Sequence, residues 1–297
     1  MRRLAGNAIS VDAMAICGLP PCVQMMNSNH SSFSDGPSLR KACLMRTVNR
    51  LREAVRMLGI GNTCLYVIAR LLAAISGGRC RIVKYYFTAQ PVVFPRGDER
   101  SGSFVVEFAD PDSPLLEQMG RPSNVLAARF AQGARCLAAT ANTGHLAGFL
   151  WFVVGPYEED EIRAQFCPKP DRLSAWDFDV AIMPRYRMSR LFGYLWKCAS
   201  AELARLGVCR TISRISAFNV GSLAAHRRLG AQIVGEATFI CVGRWQLMRA
   251  SLPPYWHLSS GAERRPTLEI GADFDVVPDA SDCGAAHDVG KDAGRHE

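Results

Sequence analysis

The chain has 297 residues, of which 48% are hydrophobic and 21% charged. That composition supports a sizeable folded core and excludes a wholly disordered polymer. The net charge of +8 is uneven: residues 1–78 carry +6, residues 79–259 carry +7 and residues 260–297 carry −5. A basic body suits polyanions, acidic lipid surfaces or phosphate-bearing cofactors, or is simply a solvated surface with a loose acidic tail. Eleven cysteines, an odd count with no CxxC pair, read as reduced thiols packed as small hydrophobes; no metal site is expected. Polar residues interrupt the stretch after Met1-Arg2-Arg3, so it is not read as a secretion signal. No uncharged apolar run reaches roughly 18 residues, so no membrane span is expected.

Residues 1–38 are rich in Ser, Asn, Gly and Pro and are read as disordered. Residues 39–78 hold two amphipathic helices. In the first, Leu44, Val48, Leu51, Val55 and Leu58 recur at helical spacing, with Arg46, Arg50, Arg52 and Arg56 on the other side. Gly59 and Gly61 break it; Leu65, Ile68, Leu72 and Ile75 stripe the second, which stops at Gly77-Gly78. These helices either dock on the domain behind them or, through residues 40–76, touch an anionic membrane surface. No recognisable motif accompanies the arginines, and no nucleic-acid partner is expected.

From 79 to 252 the texture is mixed α/β. Residues 81–88 and 104–108 read as strands and 115–132 as a helix interrupted at Arg121-Pro122. A hairpin follows at 135–154, then an acidic run, Glu158-Glu159-Asp160-Glu161, read as a solvated loop or, if it lines the site, as favouring a cationic acceptor. Trp176, Phe178, Val180 and Ile182 alternate with Asp177 and Asp179, a half-buried strand with two carboxylates on its other face. A helix at 188–206, a strand at 208–216, a short helix at 221–229 and a strand or hairpin at 231–248 complete the pattern. Residues 253–297 read as a disordered acidic tail.

Three blocks carry the chemistry. Residues 176–187 run from a strand into the long helix, and a helix N-terminus approached this way suits a pyrophosphate. Asn219 to His226 opens the short helix, and Arg227-Arg228-Leu229-Gly230 closes it. Taken in this order, the blocks resemble the GNAT (Gcn5-related N-acetyltransferase) family. Pro184-Arg185-Tyr186-Arg187 is similar to the family's Pro-x-Tyr-Arg, and Asn219-x-x-Ser222-x-x-x-His226 with Gly230 to its Asn-x-x-Ala/Ser-x-x-x-Tyr-x-x-x-Gly. The resemblance covers about 170 residues (roughly 80–250) and implies a divergent bacterial-type member. The implied fold is α/β of the α+β kind: a mixed, mostly antiparallel central sheet flanked by helices, here with an N-terminal helical extension.

The resemblance implies that an acyl group, acetyl or longer, passes from acyl-CoA to a primary amine by direct attack, in the cytoplasm or at the periphery of the inner membrane. The acceptor would be a small molecule such as an amino sugar or amino acid, although a polyamine, a protein N-terminus or a lysine is also open. It places pantetheine and oxyanion contacts on the backbone of Val180, Ala181 and Ile182, and the pyrophosphate on Arg187, Met188, Ser189, Arg190, Leu191, Phe192 and Gly193; Asn219 and Ser222 are further cofactor-binding candidates, Asn219 otherwise capping the following helix or bonding across the splay. The family's phosphate loop carries small residues where this chain has Arg190 and Phe192; Arg190 then either pairs with a phosphate or blocks the site. Asp177 and Asp179 are the candidate bases, or ordinary strand residues. His226 stands where the family has a Tyr that protonates the leaving thiolate, or is a packing histidine. Two other readings remain: a synthase of long-chain N-acyl amino acids or lactones that uses acyl-CoA or acyl carrier protein, and a binding module that no longer catalyses.

Overall fold

The computed structural model describes residues 37–93, 103–261 and 263–271. The disorder expected over 1–38 therefore falls outside the described residues, save for Pro37 and Ser38, which begin a helix. The end of the acidic tail lies outside them too. In chain order the elements are α1 (Pro37–Ile75), β1 (Cys80–Pro91), β2 (Phe104–Ala109), α2 (Ser123–Ala131), β3 (Arg135–Ala141), β4 (Leu146–Val153), β5 (Tyr157–Glu158), β6 (Gln165–Pro168), β7 (Ser174–Ile182), α3 (Leu191–Arg205), β8 (Arg210–Ser216), α4 (Val220–Arg228), β9 (Gln232–Val242), β10 (Trp245–Ala250), β11 (Trp256–Ser259) and β12 (Thr267–Ile270).

Nine strands form one sheet in the order β11-β10-β9-β1-β8-β7-β4-β3-β2. Every neighbouring pair is antiparallel except β7 with β8. The fold class is thus as expected: α/β, with a mostly antiparallel sheet and helices on its faces. β4 explains why the sheet must be covered on both sides. Its sequence, LAGFLWFV, is apolar throughout and every position is buried, the mark of a central strand with no solvent face. Phe149 and Trp151 join Phe87, Trp176 and Phe239 in the core on one face. Leu150 and Phe152 join Leu191, Leu195 and Leu203 of α3 on the other. Gly148 lets β4 come close to β7, because a Cβ there would stand 2.9 Å from the Ala181 carbonyl oxygen.

Three differences from the sequence reading stand out. First, the chain does not lose order at residue 253: β11 extends the large sheet, and β12 pairs in parallel with β6 to make a second, three-stranded sheet with β5. Leu268 and Ile270 of β12 are fully buried. Second, the acidic run is no solvated loop, since Glu159 is buried beneath the sheet. Third, Arg52–Ile75 is by length and composition apolar enough to cross a membrane. Gly59, however, leaves the helical region at φ 78° and ψ 165°. The helix beyond it, residues 60–75, is therefore about 24 Å long at ~1.5 Å per residue, short of a hydrocarbon core of ~30 Å. It is also tied to the sheet, with Asn62 Nδ2 donating to Tyr86 Oη at 2.9 Å and Tyr66 edge-on to Phe218.

Candidate active site

The site begins where two parallel strands part. β7 and β8 pair only from Ser174–Arg210 to Asp177–Ser213. Beyond those residues β7 runs on to Ile182 along β4, and β8 to Ser216 along β1, without pairing with each other. Backbone N–H and C=O groups inside a sheet need partners, so the opening between Phe178–Ile182 and Arg214–Ser216 offers edges that an extended, amide-bearing molecule can satisfy. The side chains from Asp179 to Ile182 are half-buried, whereas those from Ser174 to Phe178 are buried.

β7 is bulged at this point. Trp151 faces Phe178 and Phe149 faces Ala181, so Asp179 and Val180 together oppose Leu150 alone. Asp179 takes the left-handed conformation, φ 49°. Its carboxylate accepts hydrogen bonds from Arg121 at 2.8 and 2.6 Å and from Arg129 at 2.6 Å. Arg129 continues to Asp160 at 2.6 Å, and its guanidinium lies over the Trp151 and Phe178 rings. These arginines oppose the effect of burial and hold the Asp179 carboxyl below its ordinary range. An ionised carboxylate with its oxygens occupied is a poor proton acceptor. This pairing speaks against the base role expected of Asp179 and ties its carboxylate to the bulge.

Asp177 sits at the apex, in the last pair before the strands separate. It is fully buried rather than solvent-facing. Burial pushes its carboxyl up to about 7, while the nearby Thr211 and Ser213 hydroxyls pull the other way. Neither hydroxyl reaches hydrogen-bonding geometry: both carboxylate oxygens lack a partner, and Ser213 Oγ lies 3.1 Å from Thr88 Oγ1 instead.

After Ile182 the chain makes a turn at Pro184–Tyr186 and enters α3. Ser189 Oγ donates to the Tyr186 carbonyl at 2.6 Å and accepts from Leu191 N at 3.2 Å, which fixes the entry. Arg185, Arg187, Met188 and Arg190 are exposed around it. Leu191 turns inward and is fully buried, and Gly193 faces open space. The helix N-terminus thus carries exposed guanidinium groups on its rim.

α4 is capped by Asn219, whose Oδ1 accepts from Ser222 N at 3.0 Å. His226 is buried. Its Nδ1 lies 2.8 Å from the Ser222 carbonyl oxygen, so Nδ1 carries the hydrogen and the neutral ring has none at Nε2. The Phe192 and Trp196 rings meet it edge-on, both at 5.7 Å, and burial lowers its pKa. These contacts pack His226 between α3 and α4 and favour the packing alternative over the general-acid one. The lowered pKa comes from burial and not from Arg227 and Arg228, which are exposed.

Beneath the bulge, Glu159 binds Arg214 at 2.5 and 2.7 Å, and Tyr85 Oη donates to Glu161 at 2.5 Å. Burial pushes the Glu159 carboxyl up to about 7 against the pull of Arg214. Glu159 and Glu161 of the acidic run are thus engaged in internal pairs. A cleft of about 680 Å³ opens beside it, lined among others by Arg79, Arg81, Glu161, Arg163 and Gln246, and by no residue of β7, α3 or α4. The Arg121–Asp179–Arg129 clamp was not read from sequence. One signal was available: Arg129 lies three residues after Leu126, on the buried stripe of α2, and a charge in such a place needs a partner.

No family model and no curated protein matches the chain. Among solved structures it is similar to a Drosophila protein at 15% identity and TM-score 0.40, over 61% of this chain and 57% of that one. It is also similar to a putative acetyltransferase of the GNAT family from Novosphingobium aromaticivorans, at 16% identity and TM-score 0.39, over 53% and 63% of the two chains. A third likeness is to a putative acetyltransferase from Acinetobacter baylyi, at 19% identity and TM-score 0.33, over 43% and 79%. The chain spans less than two thirds of the first two structures. At these TM-scores the reading of the site rests on its own geometry.

Proposed function

We propose that the chain is an acyl-CoA-dependent N-acyltransferase. One observation carries this reading: β7 and β8 part after four paired residues, and the bulge at Asp179–Val180 and the entry to α3 both border the opening. Pantetheine carries two amides and satisfies strand edges as a peptide does. The pyrophosphate meets the α3 N-terminus with Arg187, Ser189 and Arg190 at its rim. The bulge aims the backbone of Val180 to Ile182 at the thioester, and an N–H there stabilises the oxyanion. The amine nitrogen attacks the thioester carbon, the C–S bond breaks, and CoA leaves as a thiolate that takes a proton from water. Asp177 lies behind the opening and accepts the ammonium proton through a water molecule.

The test is titration with acetyl-CoA and longer acyl-CoAs, followed by an assay for thiol release with a panel of amines. Saturating ligand, at about 100 times its dissociation constant, should stabilise the chain by roughly 2.7 kcal/mol. The double variant Arg187→Ala/Arg190→Ala should weaken binding about tenfold or more and flatten its salt dependence. Failure of every acyl-CoA to bind points to a binding module instead. Tighter binding by Arg190→Gly marks Arg190 as an obstruction.

A further inference from the structure

We propose that the open face of the β9–β10–β11 layer, together with the outer side of α1, lies on an anionic lipid surface. The strand register defines this face. Ile82 pairs with Ile240, Ile240 with Leu247 and Leu247 with Leu258; Cys80 pairs with Val242 and Val242 with Trp245; Arg249 pairs with Trp256. Directly opposed residues in antiparallel strands share a face. Tyr86 is on this same face of β1 and holds Asn62 of α1. The helix thus rests on β1, and the next three strands continue the face beside it. Their apolar residues are open to solvent: Trp256 is 61% exposed, Leu258 60%, Val242 52% and Trp245 50%.

The helix adds its own stripe. Thr63 and Ala69 are buried, whereas Ile60, Val67, Leu71 and Ile75 are exposed at helical spacing. Single exposed apolar residues need no explanation, but an apolar sheet face continuing into an apolar helix flank does.

Charge decides the occupant. Arg52–Ile75 and Gln232–Ser259 together carry Arg52, Arg56, Arg70, Arg244 and Arg249 against two carboxylates, Glu53 and Glu236. Glu236 is already paired with Lys84 at 2.9 Å. A second copy of the face would bring cations against cations, whereas an anionic headgroup layer complements them. The aromatic residues are built for that boundary. The Arg244 guanidinium lies over Trp245 at 5.8 Å and that of Arg249 over Trp256 at 5.6 Å. Each pair presents a ring to the acyl region and a guanidinium to phosphate. The helix lies along the surface, since it is tied to β1 and is too short to span. This inference is independent of the acyltransferase reading.

The experiment is co-flotation of the whole chain with vesicles of phosphatidylcholine alone and of phosphatidylcholine with phosphatidylglycerol, with tryptophan emission as a second readout. Binding is expected only to the phosphatidylglycerol vesicles, with a blue shift in emission and weakening as salt rises. Trp245→Ala/Trp256→Ala and Arg244→Glu/Arg249→Glu should each lower partitioning about tenfold or more, while circular dichroism and Tm match the parent. Absence of binding overturns the proposal. So does binding that neither pair of substitutions weakens, or a concentration-dependent dimer that the same substitutions dissociate without vesicle binding.

Discussion

At the scale of single residues, the two aspartates of β7 divide into opposite roles because their surroundings differ, although they stand two positions apart. Asp179 is surrounded by guanidinium groups and stays ionised, while Asp177 has only hydroxyls near it and is pushed up to about 7. The unfolded carboxyl titrates near ~3.9. Between about pH 4 and pH 7 the folded chain therefore retains a proton at Asp177 that the unfolded chain has released, and stability falls as the pH rises through that window. The limiting cost is on the order of 4 kcal/mol. Asp177→Asn removes the ionisation. Thermal unfolding should show the variant matching the parent near about pH 4 and exceeding it near about pH 8 by roughly 1–3 kcal/mol. The same substitution should lower turnover about 10²–10⁴-fold if Asp177 takes the ammonium proton. A variant with parental turnover removes Asp177 from the mechanism but leaves the stability result intact. Neither fate was legible beforehand: the alternation of Trp176, Phe178 and Val180 with the aspartates implied a wet face, because sequence does not say that α3 covers the second side of β7.

At the scale of elements, the bulge depends on groups brought from elsewhere in the chain. A bulge adds one residue to one strand, and a left-handed non-glycine residue within it is uncommon. Arg121 precedes α2, Arg129 lies on it, and both reach across to Asp179. Asp179→Asn keeps a residue that tolerates positive φ but leaves two largely buried guanidinium groups short of charge. The expected cost is about 3–5 kcal/mol by urea unfolding, and a change below about 1 kcal/mol would remove the clamp from the account. The clamp's contribution is complete above the ordinary carboxylate range and is lost as the pH falls through the lowered Asp179 value. Long periodic elements were legible: the stripe Leu191, Leu195, Ala199 and Leu203 became the buried side of α3, and Asn219 became the cap of α4. Short elements were not. β5, β6 and β12 have two to four residues each, too few to show a period, and their pairing joins distant segments. The packing of His226 was not legible for a related reason: it depends on the rings of α3 set against it.

At the scale of the molecule, the chain is longer as a folded object than its composition suggested. The acidic character of residues 253–297 implied a disordered tail, yet Leu268 and Ile270 are fully buried against the core. A chain ended at residue 261 should lose about 3–6 kcal/mol relative to one ended at residue 271, from two uncovered aliphatic side chains and an exposed β6 edge. Guanidinium unfolding of the two truncations measures this directly, and equal midpoints would show that β12 only rests on the surface.

The placement of β1 has a consequence in time. It is the earliest strand of the sheet in the sequence, yet its neighbours are β8 and β9, which leave the ribosome long after it. β2, β3 and β4 meet their partners almost as soon as they emerge, but β1 must wait with both edges unsatisfied until the last third of the chain has been made. Closure of the sheet is therefore a late, non-local event. A nascent chain stalled before residue 210 holds an apolar strand with nothing to pair with, which is the condition in which a chaperone is recruited or a neighbouring chain captured.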